Sequence, residues 1–215
     1  MGKKLVGVGL DFSANGEYAM DWALQNLTRE GDEVIVIHVK GDGVDEGEGF
    51  LWKDSGAPCI PLREMEEAVI TGKYGIQWKA ALVEELNSAA QQKGLDICVK
   101  VYWGDPKQKL CSAVTDLGLN LLVVGSRGLG AFKKVFLGSV SDYVVSNAVC
   151  PITVVKSPSL RERERTWEKD GLSSNCMENK ETAWKIRRKL DLASNCMENK
   201  EIGSPINLLK EWFMK

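Results

Sequence analysis

The sequence predicts an α/β fold, a five-stranded parallel sheet with helices on both faces, and three observations carry that prediction. Short β-branched runs alternate with amphipathic segments from Lys4 to Val155. The run Glu33–Val39 is apolar almost throughout instead of at every second residue, and Gly, Asp and Pro mark several of the joints. A strand that is apolar on both sides belongs to a sheet covered on both faces, and strict alternation with helices makes the strands parallel with right-handed crossovers.

Each element follows from its own residues. Lys4–Leu10 (KLVGVGL) opens as a strand and ends at Asp11-Phe12-Ser13, after which Ala19, Trp22, Ala23 and Leu27 recur at helical spacing. Glu33–Val39 (EVIVIHV) is the second strand, entered through Gly31-Asp32. Residues 40–58 are rich in Gly and acidic side chains, too polar to pack a core, and read as a mobile surface loop. A helical pattern runs from Leu62, breaks around Gly72 to Gly75, and resumes on the stripe Trp78, Ala81, Leu82, Leu86 and Ala89 until Gly94 stops it. Asp96–Trp103 (DICVKVYW) is the third strand. Asp105-Pro106 then supplies an N-cap and a first-turn proline to a helix whose inner stripe is Leu110, Ala113, Val114 and Leu117. Asn120–Val124 is the fourth strand. Beyond a glycine-rich loop, Ser139 and Asp142 have the spacing of a capping box for a helix through Val140, Tyr143, Val144 and Ala148. Pro151–Val155 closes the domain as the fifth strand.

Composition narrows the function. At 215 residues, with 44% hydrophobic and 27% charged side chains, the chain supports one full core plus a lesser element. Its net charge is −2, with 16 Lys and Arg to 20 Asp and Glu through Lys156 and 12 to 10 beyond it. That balance lacks the positive field of a dedicated nucleic-acid binder. Cys59, Cys98, Cys111, Cys150, Cys176 and Cys196 include no C-x-x-C pair and meet only one histidine, so a structural zinc site is not expected. Free thiols in a reducing compartment are. The apolar run Leu5–Leu10 is too short for a signal peptide or a span, and Val6 stands where N-myristoylation wants Ser or Thr. The expectation is a cytoplasmic protein.

Parallel sheets of this kind bind ligands at the carboxyl ends of their strands, beside the switch point. Four features fall there: Asp11, Val39, the stretch Gly125-Ser126-Arg127-Gly128, and Gly138-Ser139-Val140-Ser141 opening a helix. Glycines let backbone N–H groups approach an anion, and a helix start adds unpaired N–H groups at its positive end. The hydroxyls of Ser139 and Ser141 are candidate donors to the same oxygens, so the chemistry suits a di- or triphosphate. Arg127 and the Lys133-Lys134 pair are candidates for extra charge over it. Taken singly, Asp11 also fits a turn initiator, Ser139 a helix cap and Val39 a core residue. The loop is not a Walker sequence, since no Lys follows Gly138, nor the dinucleotide fingerprint, since it follows the fourth strand with a different spacing.

The stretch resembles the universal stress protein family, whose nucleotide-binding members carry G-x2-G-x9-G-[S/T]. Gly125, Gly128, Gly138 and Ser139 reproduce it. The resemblance covers about Lys3 to Lys156, including VGVGLDFS, VIVIHV, VYWGDP, VVGSRGLGAFKKVFLGSVSDYVV and CPITVVK, and points to the plant-type branch. It implies a Rossmann-like fold of the adenine nucleotide α-hydrolase-like type and ATP or AMP as ligand, with Mg²⁺ as an accompanying ion. It implies that Asp11 and Val39 contact the adenosine part and that Val124 and Gly125 lie beside the ribose and phosphates. Gly128, Gly138, Ser139, Val140 and Ser141 would hold the phosphates. It also implies a homodimer through Pro151–Val155 and a regulatory or sensor module in stress response.

Catalysis is less well supported by the residues. His38 is the only histidine and lies within an apolar strand, no G-x-S-x-G elbow surrounds a serine, and no paired carboxylates accompany Asp11. No catalytic residue and no protein metal site is assigned; slow ATP hydrolysis is the most that is expected. The alternative is an ATP-consuming enzyme of the same broad fold. Residues 1–156 form the expected nucleotide-binding domain and 157–215 an extension, irregular or weakly helical. In it SNCMENKE at 174–181 recurs at 194–201. Ala183, Ile186 and Leu190 beside Arg187, Arg188 and Lys189 make a short basic amphipathic stretch, and Ser204-Pro205 precedes Leu208, Leu209, Trp212 and Phe213. Membrane contact of this tail is not expected.

Overall fold

The computed structural model describes residues 2–41, 52, 55–76, 78–126 and 137–158. Six strands among them form one sheet: β1 (Leu5–Gly9), β2 (Glu33–Lys40), β3 (Ile60–Pro61), β4 (Asp96–Trp103), β5 (Leu121–Gly125) and β6 (Ile152–Val155), in the order β3-β4-β2-β1-β5-β6. Five pair in parallel, as the alternation requires; β3 alone is antiparallel, to β4. The chain steps outward from β1 to β2 and β4, then crosses back to β5 and β6. The switch point therefore lies between β1 and β5.

Among the described residues five helices connect the strands: α1 (Ala14–Asn26), α2 (Ala68–Lys73), α3 (Ala80–Lys93), α4 (Pro106–Leu117) and α5 (Ser139–Asn147), with a 3₁₀ turn at Leu62–Glu66. Alternation along the strands sends successive side chains into two separate cores. Val6, Val8, Val34, Val36, Val99 and Val101 meet Met20 and Ala23 of α1 and Leu82 and Leu86 of α3 on one face. On the other face, Ile35, Ile37, Leu122 and Val124 meet Leu110, Ala113 and Val114 of α4 and Val144 of α5. Two buried faces explain why β2 reads as a continuous apolar run. The helices stop where the sequence says they should: Gly94 ends α3 at φ 59° and Gly118 ends α4 at φ 62°, a conformation that glycine adopts without the Cβ penalty.

Several expectations change. The sixth strand, β3, is two residues long and contains a proline, which leaves no periodicity to read. Its place at the sheet edge is one where proline is tolerated. The polar loop expected over 40–58 does not run to its end as free surface, because Ala57 is fully buried and its N–H donates to Val101 O at 2.8 Å. Cys59 and Cys98, expected as free thiols, are joined in a disulfide; Cys111 and Cys150 are free. The capping box at Ser139 does not form. Gly138 occupies the cap with φ −70° and ψ 153°, Ser139 is already the first helical residue, and among the described residues no side chain caps α5. Residues 42–51 of the predicted loop and 159–215 of the extension lie outside the described residues.

Candidate functional site

Asp11 leaves β1 at its carboxyl end and turns the chain into α1. Its Oδ1 accepts the Ser13 N–H at 3.0 Å and the Ser13 hydroxyl at 2.6 Å, while Ser13 Oγ accepts the Gly16 N–H at 3.1 Å. Gly16 is required here, since a Cβ would lie 2.5 Å from Asp11 Oδ1. Asp11 is thus a turn initiator as well as a site candidate. Phe12, next along, is the one non-glycine residue at positive φ (58°) among the described residues. Its ring packs 4.7 Å from that of His38 and 5.1 Å, edge to face, from that of Trp78.

His38 is half-buried near the end of β2, and its Nδ1 lies 2.8 Å from Leu10 O. A carbonyl accepts, so Nδ1 carries a proton and donates, tying β2 to the last turn of chain before Asp11. Burial pulls the imidazole below its usual pKa and the nearby Lys40 adds to this, while the bond to Leu10 and the Asp11 charge act the other way. Val39, next to it, faces the opposite core and pairs with Tyr102 of β4.

The end of β5 and the start of α5 are fastened together. Gly138 N–H donates to Ser126 O at 2.7 Å, so the chain that leaves the sheet at Ser126 returns to the same point. Ser141, buried in the first turn of α5, donates its hydroxyl to Gly125 O at 2.7 Å. That hydroxyl was expected to face an anion; it is a clamp on the end of β5 instead. Val124 is buried, Val140 packs against the second core, and Ser139 is exposed. Gly128, Arg127, Lys133 and Lys134 lie outside the described residues.

These two bonds hold the N-terminus of α5 beside the switch point. The N–H groups of Ser139, Val140 and Ser141 have no acceptor within the helix, and the dipole gives this end partial positive charge. The two other helices that directly follow a parallel strand are closed by their own side chains, α1 by Ser13 and α4 by Asp105. The structure therefore brings Asp11, Val124, Gly125, Gly138, Ser139, Val140 and Ser141 to the carboxyl ends of β1 and β5, with Val39 two strands from β5 at the end of β2. Sequence reasoning missed Phe12 and Trp78. A positive φ at an aromatic residue leaves no pattern in sequence, and the contact with Trp78 spans 66 positions, from residue 12 to residue 78.

Fold and terminus together define the class: a doubly wound α/β domain in which, among the described residues, the start of α5 beside the switch point has no side-chain cap. Comparison with known proteins carries this further. The sequence profile of the Universal stress protein family matches residues 3–156, and the chain belongs to that family. Universal stress protein PHOS32 of Arabidopsis thaliana is 31% identical over 172 residues, covering 74% of this chain and 67% of the relative. Universal stress protein PHOS34 of the same plant is 32% identical over 175 residues, covering 74% and 64%. The chain thus spans about two thirds of the length of these relatives. Among solved structures, universal stress protein UspA from Lactobacillus plantarum matches with a TM-score of 0.53 at 18% identity, over 72% of this chain and 99% of that one. The hypothetical protein MJ0577 of Methanocaldococcus jannaschii matches with 0.51 at 23%, over 73% and 97%. At these identities the two structures establish the fold. Among the described residues, no helix is long and apolar enough to cross a membrane.

Proposed function

We propose that residues 1–156 bind an adenine nucleotide at the carboxyl ends of β1, β2 and β5, and that occupancy regulates contacts of the domain as part of a cytoplasmic stress response. The observation that carries this reading is the uncapped N-terminus of α5, held against the end of β5 by the Gly138–Ser126 and Ser141–Gly125 bonds. A phosphate there would receive the first-turn N–H groups, the interaction that Asp105 supplies to α4 from within the chain. The residues fit such a ligand in chemistry: Gly138 keeps side-chain bulk away from the amides, and Asp11 and Val39 border the site from the neighbouring strands. Gly128 belongs to the same reading. Where the ligand is ATP with Mg²⁺, Asp11, whose Oδ1 accepts from Ser13, is the carboxylate that would meet the ion through water. The extension 157–215 has no assigned part.

A receptor is favoured over a catalyst because the sequence pairs no second carboxylate with Asp11, and the one histidine sits inside an apolar strand. His38 Nδ1 is bonded to Leu10 O and its ring is packed against Phe12. A homodimer through β6 fits the same picture, since β6 is an edge strand and Val149, just before it, is 82% exposed. Calorimetric titration of ATP and AMP into the wild type and into a Gly138→Val, Ser139→Ala variant tests the site. The reading expects micromolar binding to the first and a large loss in the second; equal affinity would refute it.

A further inference from the structure

We propose that the Cys59–Cys98 disulfide is a thiol–disulfide exchange site, opened by a dithiol reductant, that latches residues 55–61 across the outer edge of β4. The bond links residues 39 positions apart, with their Cα atoms separated by 5.9 Å. Cys59 is exposed and Cys98 half-buried, so an incoming thiolate meets the Cys59 sulfur first. Exposed disulfides are the labile ones, and in reducing compartments those that occur are commonly transient or redox-sensing.

Apart from the burial of Ala57 and Ile60 in the first core, the other fastenings of this segment among the described residues are few. Ile60 and Pro61 pair with Val99 and Cys98, and Pro61 has no N–H to give to the ladder. Ala57 N–H donates to Val101 O at 2.8 Å, and Lys100 Nζ donates to Ala57 O at 2.9 Å. Gly56, at φ +72°, lies so close to Tyr102 that a Cβ would stand 2.8 Å from its ring. Tyr102 itself is fully buried, and among the described residues its hydroxyl has no partner, so no hydrogen bond to it ties the segment down. The covalent link is therefore the strongest single tie.

The surroundings also favour exchange at this pair. Lys100 lies on the same face of β4 as Cys98, two residues along, and its ammonium reaches the carbonyl of Ala57, two residues before Cys59. A cation on the same face of β4 favours a thiolate forming at Cys98, although burial pulls the Lys100 pKa below its ordinary value. The free cysteines differ, because burial pushes the thiols of Cys111 and Cys150 up, against the thiolate form. In the exchange, a reductant thiolate bonds to Cys59 Sγ and expels Cys98 as a thiolate, which takes up a proton. The reductant's second thiol, once deprotonated, attacks its own sulfur in the mixed disulfide and expels Cys59, which is protonated in turn. The dithiol ends as a disulfide and the protein with two thiols, two electrons having passed to the protein. With the latch open, the N–H and C=O groups on the outer edge of β4 near Val99 and Val101 lose their cover.

The test uses the full chain, oxidised with diamide, freed of the oxidant and then titrated with reduced dithiothreitol. Alkylation with mass spectrometry reads the thiols, and amide hydrogen exchange reads peptides covering 55–61 and 99–101. Cys59 and Cys98 should become alkylated together while helical circular dichroism is unchanged, and exchange in both peptides should speed up about tenfold or more. Cys59→Ala, a change at an exposed position that leaves both cores intact, should exchange like the reduced wild type whether or not dithiol is present. Failure to form the 59–98 link under oxidant, equal exchange in both redox states, or a Cys59→Ala protein as protected as the oxidised wild type would overturn the proposal.

Discussion

The N-termini of α4 and α5 are built on the same plan and finished differently. Each follows a parallel strand and points its positive end to the carboxyl side of the sheet. In α4 the chain closes that end itself: Asp105 accepts the Lys107 N–H at 3.2 Å and Pro106 removes one of the orphan donors. In α5 a glycine stands at the cap and, among the described residues, no side chain turns back. Closing a helix start typically contributes about 1 kcal/mol, so leaving one open at the switch point is a cost that stability alone does not explain. α2 and α3 also start without a side-chain cap; α5 differs from them in starting beside β5, one of the two strands at the switch point, and that position is what the proposed anion site rests on.

The largest expected effect comes from erasing that difference. Gly138→Asp gives α5 the closure that α4 has and places a carboxylate where the phosphate would bind. Nucleotide affinity should fall by on the order of 100-fold through like-charge repulsion and loss of the amides, while stability stays level or rises by a few tenths of a kcal/mol. Calorimetry and thermal melting on one preparation read both quantities, and joint loss of affinity and stability would break the comparison. Ser141→Ala removes the clamp that positions the open end. It should cost about 1–2 kcal/mol by leaving Gly125 O unsatisfied, which urea titration measures, and weaken nucleotide binding severalfold. Asp105→Ala is the converse change. A loss of about 1 kcal/mol with affinity held within about twofold is expected, and a larger drop in affinity would show that the α4 end takes part in the site.

The smallest effect is one of pH. Burial holds His38 below its ordinary value of 6.5, so the unfolded chain takes up this proton more readily than the folded one. Its contribution to stability is therefore whole above the unfolded pKa and is lost as pH falls from there through the depressed folded value. Urea midpoints at pH 7.5 and pH 5.5 should differ more in the wild type than in His38→Asn, which keeps an amide donor near the place of Nδ1. An equal pH dependence in the two proteins would remove His38 from the account.

Much of this was legible in the residues because local chemistry decided it. Asp105-Pro106, Gly94 and the apolar runs each act through neighbours a few positions away, and each element they predict is present. The resemblance to the universal stress proteins was carried by contiguous motifs and was confirmed. What failed to show depends on partners far along the chain. Ser141 looked like a phosphate donor until its hydroxyl met Gly125, 16 positions earlier. Ser139 had the spacing of a cap, yet the bond from Gly138 to Ser126 sets the helix start one residue sooner. The Cys59–Cys98 pairing, the two-residue β3 and the contact of Phe12 with Trp78 are likewise tertiary facts without a periodic signature.

The central claim is that α5 offers its first-turn amides to a nucleotide and α4 does not. Amide chemical shifts recorded by nuclear magnetic resonance during titration with AMP and ATP test it residue by residue. The account predicts that Ser139, Val140 and Ser141 move together with Asp11 and Gly125 along one saturation curve, with Lys107 to Lys109 unmoved. Saturable shifts that spare Ser139 to Ser141, or that fall equally on the start of α4, would contradict it.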